Sequence, residues 1–103
     1  MIKMKNCPCC NRSVREEDLT LHHYLPKCEG GTLKETITLC KTCHQMLHKY
    51  IPISHVKYYK NIEDLEENEL FNQYLQWIRS KNHPHQYPVK KVIRYLKRCH
   101  LVA

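Results

Sequence analysis

A chain of 103 residues with a formal net charge of +7 is long enough for one domain and short for two. The basic balance makes a polyanion the expected partner, nucleic acid first and an anionic membrane surface second. Seven cysteines do not make a disulfide framework here, because the count is odd and four of them form two Cys-x-x-Cys pairs with metal spacing. No apolar run approaches the roughly 20 residues that span a bilayer, and Met1-Ile2-Lys3-Met4-Lys5-Asn6 lacks the apolar stretch of a signal peptide. The chain therefore reads as soluble and held in a reducing compartment, where zinc thiolates persist.

The elements follow in chain order. Residues 1–20 read as a zinc knuckle followed by a polar loop, the tight turn Cys7-Pro8-Cys9-Cys10-Asn11-Arg12 using Pro8 to fix φ and Asn11 to tolerate the left-handed region. Leu19-Thr20-Leu21-His22-His23-Tyr24-Leu25 alternates as a strand that ends at Pro26, and Lys27-Cys28-Glu29-Gly30-Gly31 is a loop. Glu35-Thr36-Ile37-Thr38-Leu39 is rich in β-branched residues and returns as a second strand. A helix starts near Thr42, carries Met46, Leu47 and Tyr50 at helical spacing, and stops before Pro52. Ile53 to Lys60 is a connector, and residues 62–67 form a short helical turn. Asn68 caps a firmer helix whose face is Phe71, Tyr74, Leu75 and Ile78, with Trp77 beside it in the core. After a break at residues 83–88, Val89, Val92, Ile93 and Leu96 stripe a last, basic helix. The expected organisation is a core over residues 1–52 and a helical basic extension over residues 53–103, packed together as one domain.

Four cysteines, Cys7, Cys10, Cys40 and Cys43, suit one tetrahedral structural zinc. Cys9 is an inferior substitute by spacing, and Cys28 and Cys99 have no partner in the pattern. A tetrathiolate is coordinatively closed, so the remaining histidines need a separate site. His44 and His48 stand at i and i+4 and point the same way on a helix. His22 and His23 are neighbours on a strand and face opposite sides, so one can bind a metal while the other contacts a water. Neutral imidazole suits proton abstraction near neutral pH. A cation can neutralise a phosphate and a leaving oxyanion. His55, His83, His85 and His100 fit no ligand pattern and read as surface residues. From Arg79 to Ala103 there are seven Lys or Arg residues and no acids. Of these, Lys90, Lys91, Arg94, Lys97 and Arg98 form the expected DNA grip, with Tyr87 and Tyr95 interleaved.

The run Leu21-His22-His23-Tyr24-Leu25-Pro26, the Gly30-Gly31 loop, Cys40-Lys41-Thr42-Cys43-His44 and His48 resemble, in order and spacing, the HNH endonucleases of the ββα-metal superfamily. The resemblance runs from Cys7 to His48 and extends more weakly from Tyr58 to Lys81 towards small stand-alone bacterial or phage HNH proteins. It implies an α+β fold, a zinc-stapled ββα core with a helical C-terminal extension. It implies His23 as the general base, and His22, His44 and His48 as ligands of one catalytic divalent cation, Mg²⁺, Mn²⁺, Ni²⁺ or Zn²⁺. It implies Cys7, Cys10, Cys40 and Cys43 as a structural Zn²⁺ scaffold. The family's middle Asn has no clear counterpart, and Glu35 or Thr36 falls near its place. The expected activity is DNA phosphodiester hydrolysis, nicking or cutting both strands, in the cytoplasm of a bacterial or phage-infected cell. A homodimer through the last helix is the possible assembly. The competing expectation is a zinc-ribbon nucleic-acid-binding module without catalysis, which leaves the four histidines unused.

Overall fold

The computed structural model describes residues 2–24, 36–81 and 84–98. The chain begins with a hairpin rather than a bare loop. Strands β1 (Met4–Asn6) and β2 (Ser13–Arg15) pair antiparallel, Lys5 opposite Val14. The knuckle turn closes them: Cys7 N–H donates to Arg12 O at 2.9 Å and Asn11 N–H to Cys7 O at 2.8 Å. Asn11 takes φ 58°, the left-handed region that asparagine tolerates. The expected polar loop before residue 19 is corrected here. Its stand-in is β2 and a one-turn 3₁₀ segment, Glu16–Asp18, whose buried Asp18 is paired with Arg15 at 3.1 Å and Lys41 at 3.4 Å.

The second hairpin carries the histidines. β3 (Leu19–His23) pairs antiparallel with β4 (Thr36–Cys40), in the register Thr20 to Leu39, His22 to Ile37 and His23 to Thr36. The glycine loop, Cys28 and Glu35 lie outside the described residues, as do His83, Cys99 and His100. Helix α1 (Lys41–Tyr50) follows β4 without a linker and buries Thr42, Cys43, Met46 and Leu47. It ends at Ile51, which is extended at φ −111°, ψ 113° as a residue before proline prefers. Hairpin and helix together are the expected ββα core.

The second half is helical. Asn61 accepts from Asp64 N–H at 2.8 Å and caps α2 (Ile62–Glu66), a cap the sequence reading did not assign. Asn68 accepts from Phe71 N–H at 2.9 Å and caps α3 (Glu69–Ile78), as expected. Phe71, Tyr74, Leu75 and Ile78 are fully buried, one apolar stripe at helical spacing. A strap without regular secondary structure, residues 84–88, leads to α4 (Val89–Arg98), which buries Val92 and Leu96. Trp77 stacks on Tyr95 at 5.6 Å and meets Tyr87 edge-on at 5.4 Å, so it is core. Buried residues from both halves, among them Val14, Leu39, Met46, Leu65, Leu75 and Val92, form one apolar cluster. No helix among the described residues is long and apolar enough to cross a membrane.

Asn68→Ala removes a cap at the start of α3 and is expected to destabilise the fold by about 1 kcal/mol, while Asn68→Asp, which keeps an acceptor, stays within a few tenths. Denaturant titration of the three proteins checks this.

Candidate metal centres

Two clusters of metal-ligating side chains form, and α1 contributes to both, Cys43 to one and His44 and His48 to the other. The first is Cys7, Cys10, Cys40 and Cys43, all fully buried, with their sulfurs within 4.8 Å of one another. Cys10 Sγ and Cys40 Sγ are 3.9 Å apart. Thiolates at about 2.3 Å around a tetrahedral zinc stand about 3.8 Å from each other, so the arrangement fits that ion. Cys9 is buried outside the cluster, and its carbonyl accepts from Arg79 Nε at 3.0 Å.

A zinc tetrathiolate carries two net negative charges, which are costly to bury without compensation. The surroundings supply it. Arg12, only 3% exposed, donates Nε to Cys10 Sγ at 3.3 Å and Nη2 towards Cys40 Sγ at 3.7 Å. Cys40 N–H donates to Cys7 Sγ at 3.4 Å. The Tyr74 hydroxyl meets Cys43 Sγ at 3.0 Å. Burial first and the Cys43 sulfur next hold that phenol protonated well above the ordinary tyrosine range, which makes it the donor. Every sulfur therefore has a hydrogen-bond donor. Arg12 continues outward, donating Nη1 to His85 O at 2.6 Å and standing 6.0 Å from the Tyr87 ring centre.

The second cluster is His22, His44 and His48. Strand and helix deliver it together, because β3 faces α1 and His44 and His48 lie one turn apart on that helix. The ring centres are 5.3, 5.2 and 4.9 Å apart. An imidazole centre sits about 3.2 Å from a metal on its nitrogen, so three tetrahedral imidazoles stand about 5 Å apart, and these three fit one cation. His22 Nε2 is buried with no hydrogen-bond partner, which a ligated cation would satisfy. Burial first, then the neighbouring imidazoles, pull His22 down to about 4, and burial also lowers His44. Neutral rings keep their lone pairs available to a metal.

The triad opens on a cleft of about 330 Å³ lined by Thr20, Lys41, His44, Gln45 and His48. A second hollow of about 490 Å³ shares Lys41 and Gln45 and runs to Gln86, Tyr87, Pro88 and Val89, at the foot of α4. His23 is half-buried at the end of β3 and within electrostatic reach of His22 and His44. Thr36 stands opposite His23 in the ladder. Lys90, Lys91, Arg94, Lys97 and Arg98 are all exposed on α4 and make no ion pair among the described residues. Sequence reading missed Arg12, Tyr74 and Thr20 as parts of these centres, and also Gln86. Gln86 Oε1 accepts from Thr42 N–H at 2.9 Å and caps α1 from 44 residues away.

The HNH endonuclease family model matches residues 7–50, the stretch that holds both clusters. A relative, Uncharacterized protein YisB from Bacillus subtilis (strain 168), is 32% identical over 92 residues, which cover 88% of this chain and 84% of the relative. The chain belongs to the HNH endonuclease family. Its alignment with YisB reaches well beyond the matched core, so the likeness includes much of the helical second half of this HNH protein. No solved structure matches it.

Two expectations follow. Arg12→Met and Tyr74→Phe each strip a donor from a thiolate, and each is expected to speed zinc release to a chelator by about 10- to 100-fold, the usual range for partners that orient metal ligands. Time courses with a colorimetric zinc indicator read this. His22 gives a pH dependence. Its folded pKa, about 4, lies below the unfolded 6.5, so on acidification the unfolded chain takes up the proton first. Stability with the triad empty therefore falls between about pH 6.5 and 4, and His22→Asn removes that part of the slope in urea titrations.

Proposed function

We propose that this HNH protein is a metal-dependent endonuclease that hydrolyses DNA phosphodiester bonds. The observation that carries the reading is His22 Nε2, buried and unpartnered, in a three-imidazole cluster that opens on a cleft. His22, His44 and His48 would hold one divalent cation, which would supply charge to polarise a phosphate and stabilise a leaving oxygen. Three neutral ligands leave the ion its full charge, and imidazole suits Zn²⁺, Ni²⁺, Co²⁺ or Mn²⁺ better than Mg²⁺.

His23 acts as the general base. In its neutral form it takes the proton of a water as the water oxygen bonds to phosphorus, and the ester bond to the leaving sugar oxygen breaks. Placing His22 and His23 on successive positions of β3 separates holding the cation from moving the proton. The exposed cations of α4 supply the grip: Lys90, Lys91, Arg94, Lys97 and Arg98 neutralise backbone phosphates near the hollow that connects to the triad. A surface this small reads little sequence, so modest specificity is expected. The non-catalytic zinc-ribbon reading uses the same tetrathiolate and helix, but leaves the triad and its orphaned nitrogen without a role.

Supercoiled plasmid incubated with Mg²⁺, Mn²⁺, Ni²⁺ or EDTA tests the reading. Nicking is expected with metal only, and His23→Ala is expected to lower it by at least about 100-fold with zinc content unchanged. No nicking in any metal, with one bound ion per chain and salt-sensitive DNA binding retained, would leave the zinc-ribbon reading in its place. The double change Lys90→Ala and Lys91→Ala is expected to weaken DNA binding and reduce the slope of log K against log salt by about 2.

A further inference from the structure

Thr20 joins the two halves of the second hairpin to the helix that bears two of the three histidines. It lies two residues before His22, so both side chains leave β3 on the face that meets α1. Its Oγ1 is 2.9 Å from Leu39 O and 2.8 Å from His44 Nδ1. A hydroxyl has one hydrogen, and a carbonyl oxygen can only accept. The Thr20 hydrogen therefore goes to Leu39 O, and its oxygen accepts from His44. That contact requires a hydrogen on His44 Nδ1. A neutral imidazole with its hydrogen on Nδ1 has a bare lone pair on Nε2. We propose that Thr20 is a positioning residue for the cation site, its hydroxyl fixing His44 in the Nδ1-protonated tautomer and turning Nε2 to the metal.

The inference rests on the reading of His22, His44 and His48 as a cation site. The geometry gives the hydroxyl two tasks. It satisfies the nitrogen that faces away from the ion, and it stops the ring from rotating about its own axis on the helix. Threonine suits the place because its Cβ branch fits a strand, while the hydroxyl reaches both the neighbouring strand's carbonyl and the helix. Lacking the hydroxyl, the His44 ring keeps no partner for Nδ1–H, and the alternative tautomer puts the hydrogen on Nε2, where it blocks ligation.

Thr20→Val keeps the shape and removes the hydroxyl, and Thr20→Ser keeps the hydroxyl and removes the methyl. Calorimetric titration of Co²⁺ into zinc-loaded protein reads the affinity of the triad directly. Wild type is expected to bind one ion beyond its zinc. Thr20→Val should bind it about 10- to 100-fold more weakly and Thr20→Ser within about threefold of wild type, with zinc content equal in all three. Histidine ¹⁵N shifts before Co²⁺ is added should show His44 protonated on Nδ1 in wild type and Thr20→Ser, and lose that pattern in Thr20→Val. If Thr20→Val matches wild type in affinity and in shifts, or Thr20→Ser is as weak as Thr20→Val, the inference is wrong while the cation site stands. If wild type takes up no second ion, the cation reading fails and takes this inference with it. The ¹⁵N pattern and the Thr20→Ser protein still decide the tautomer should Thr20→Val not fold.

Discussion

The tetrathiolate fixes the direction of α1, and the rest of the molecule is arranged around that helix. Cys40 is both the last residue of β4 and the residue from which α1 starts, and Cys43 lies in its first turn. Cys7 and Cys10 bring the knuckle hairpin to the same point. A structural zinc in small domains contributes about 10–16 kcal/mol, of the same order as the whole net stability of a domain. Because His44 follows Cys43 directly, the ion that holds the fold also fixes where the triad stands. The two clusters are one residue apart in the chain, Cys43 belonging to one and His44 to the other, yet their side chains do not mix. Four thiolates would satisfy a zinc completely, and the three imidazoles meet where β3 faces α1.

Much of this was legible in the sequence, and the reasons it stopped are physical. Cys-x-x-Cys spacing, the i and i+4 histidines, the Asn68 cap and the Phe71, Tyr74, Leu75 and Ile78 stripe are all local patterns, and each recurs in the structure where expected. The β1–β2 hairpin was not readable, because Met4–Asn6 is exposed throughout and shows no apolar alternation. It exists because the knuckle turn forces residues 6 and 13 together. Arg12 stands in the sequence only as the last residue of the knuckle turn, and nothing local marks it for burial. Its burial is intelligible only once four sulfurs from two distant turns meet and a negative site needs a cation. Thr20 and Gln86 depend on strand register and on a contact between residues 42 and 86, which no local window contains.

Charge is distributed with a division of labour. Inside, Arg12 faces the tetrathiolate and Asp18 is held between Arg15 and Lys41, so buried ions are matched within the fold. Outside, α4 leaves its five cations unmatched among the described residues, and the surplus lies on one helix rather than spread over the surface. An apolar stripe at Val92 and Leu96 and the Trp77–Tyr95 stack hold that helix to the core. Its orientation is thus set by packing, and its outer face is free for electrostatics.

The strap of residues 84–88 binds back onto the knuckle turn and the start of α1. Arg12 reaches His85 O, Gln86 accepts from the Thr42 amide and hydroxyl, and Tyr87 N–H donates to the Thr42 hydroxyl at 2.7 Å. Both ligand pairs of the knuckle are complete by residue 43, some forty residues before the strap. Up to that point α1 lacks its Gln86 cap and Arg12 lacks its bond to His85 O. Only a chain that includes the strap makes both contacts. The first turn of the histidine-bearing helix is therefore completed by residues that lie more than forty positions further along the chain, directly before the basic helix.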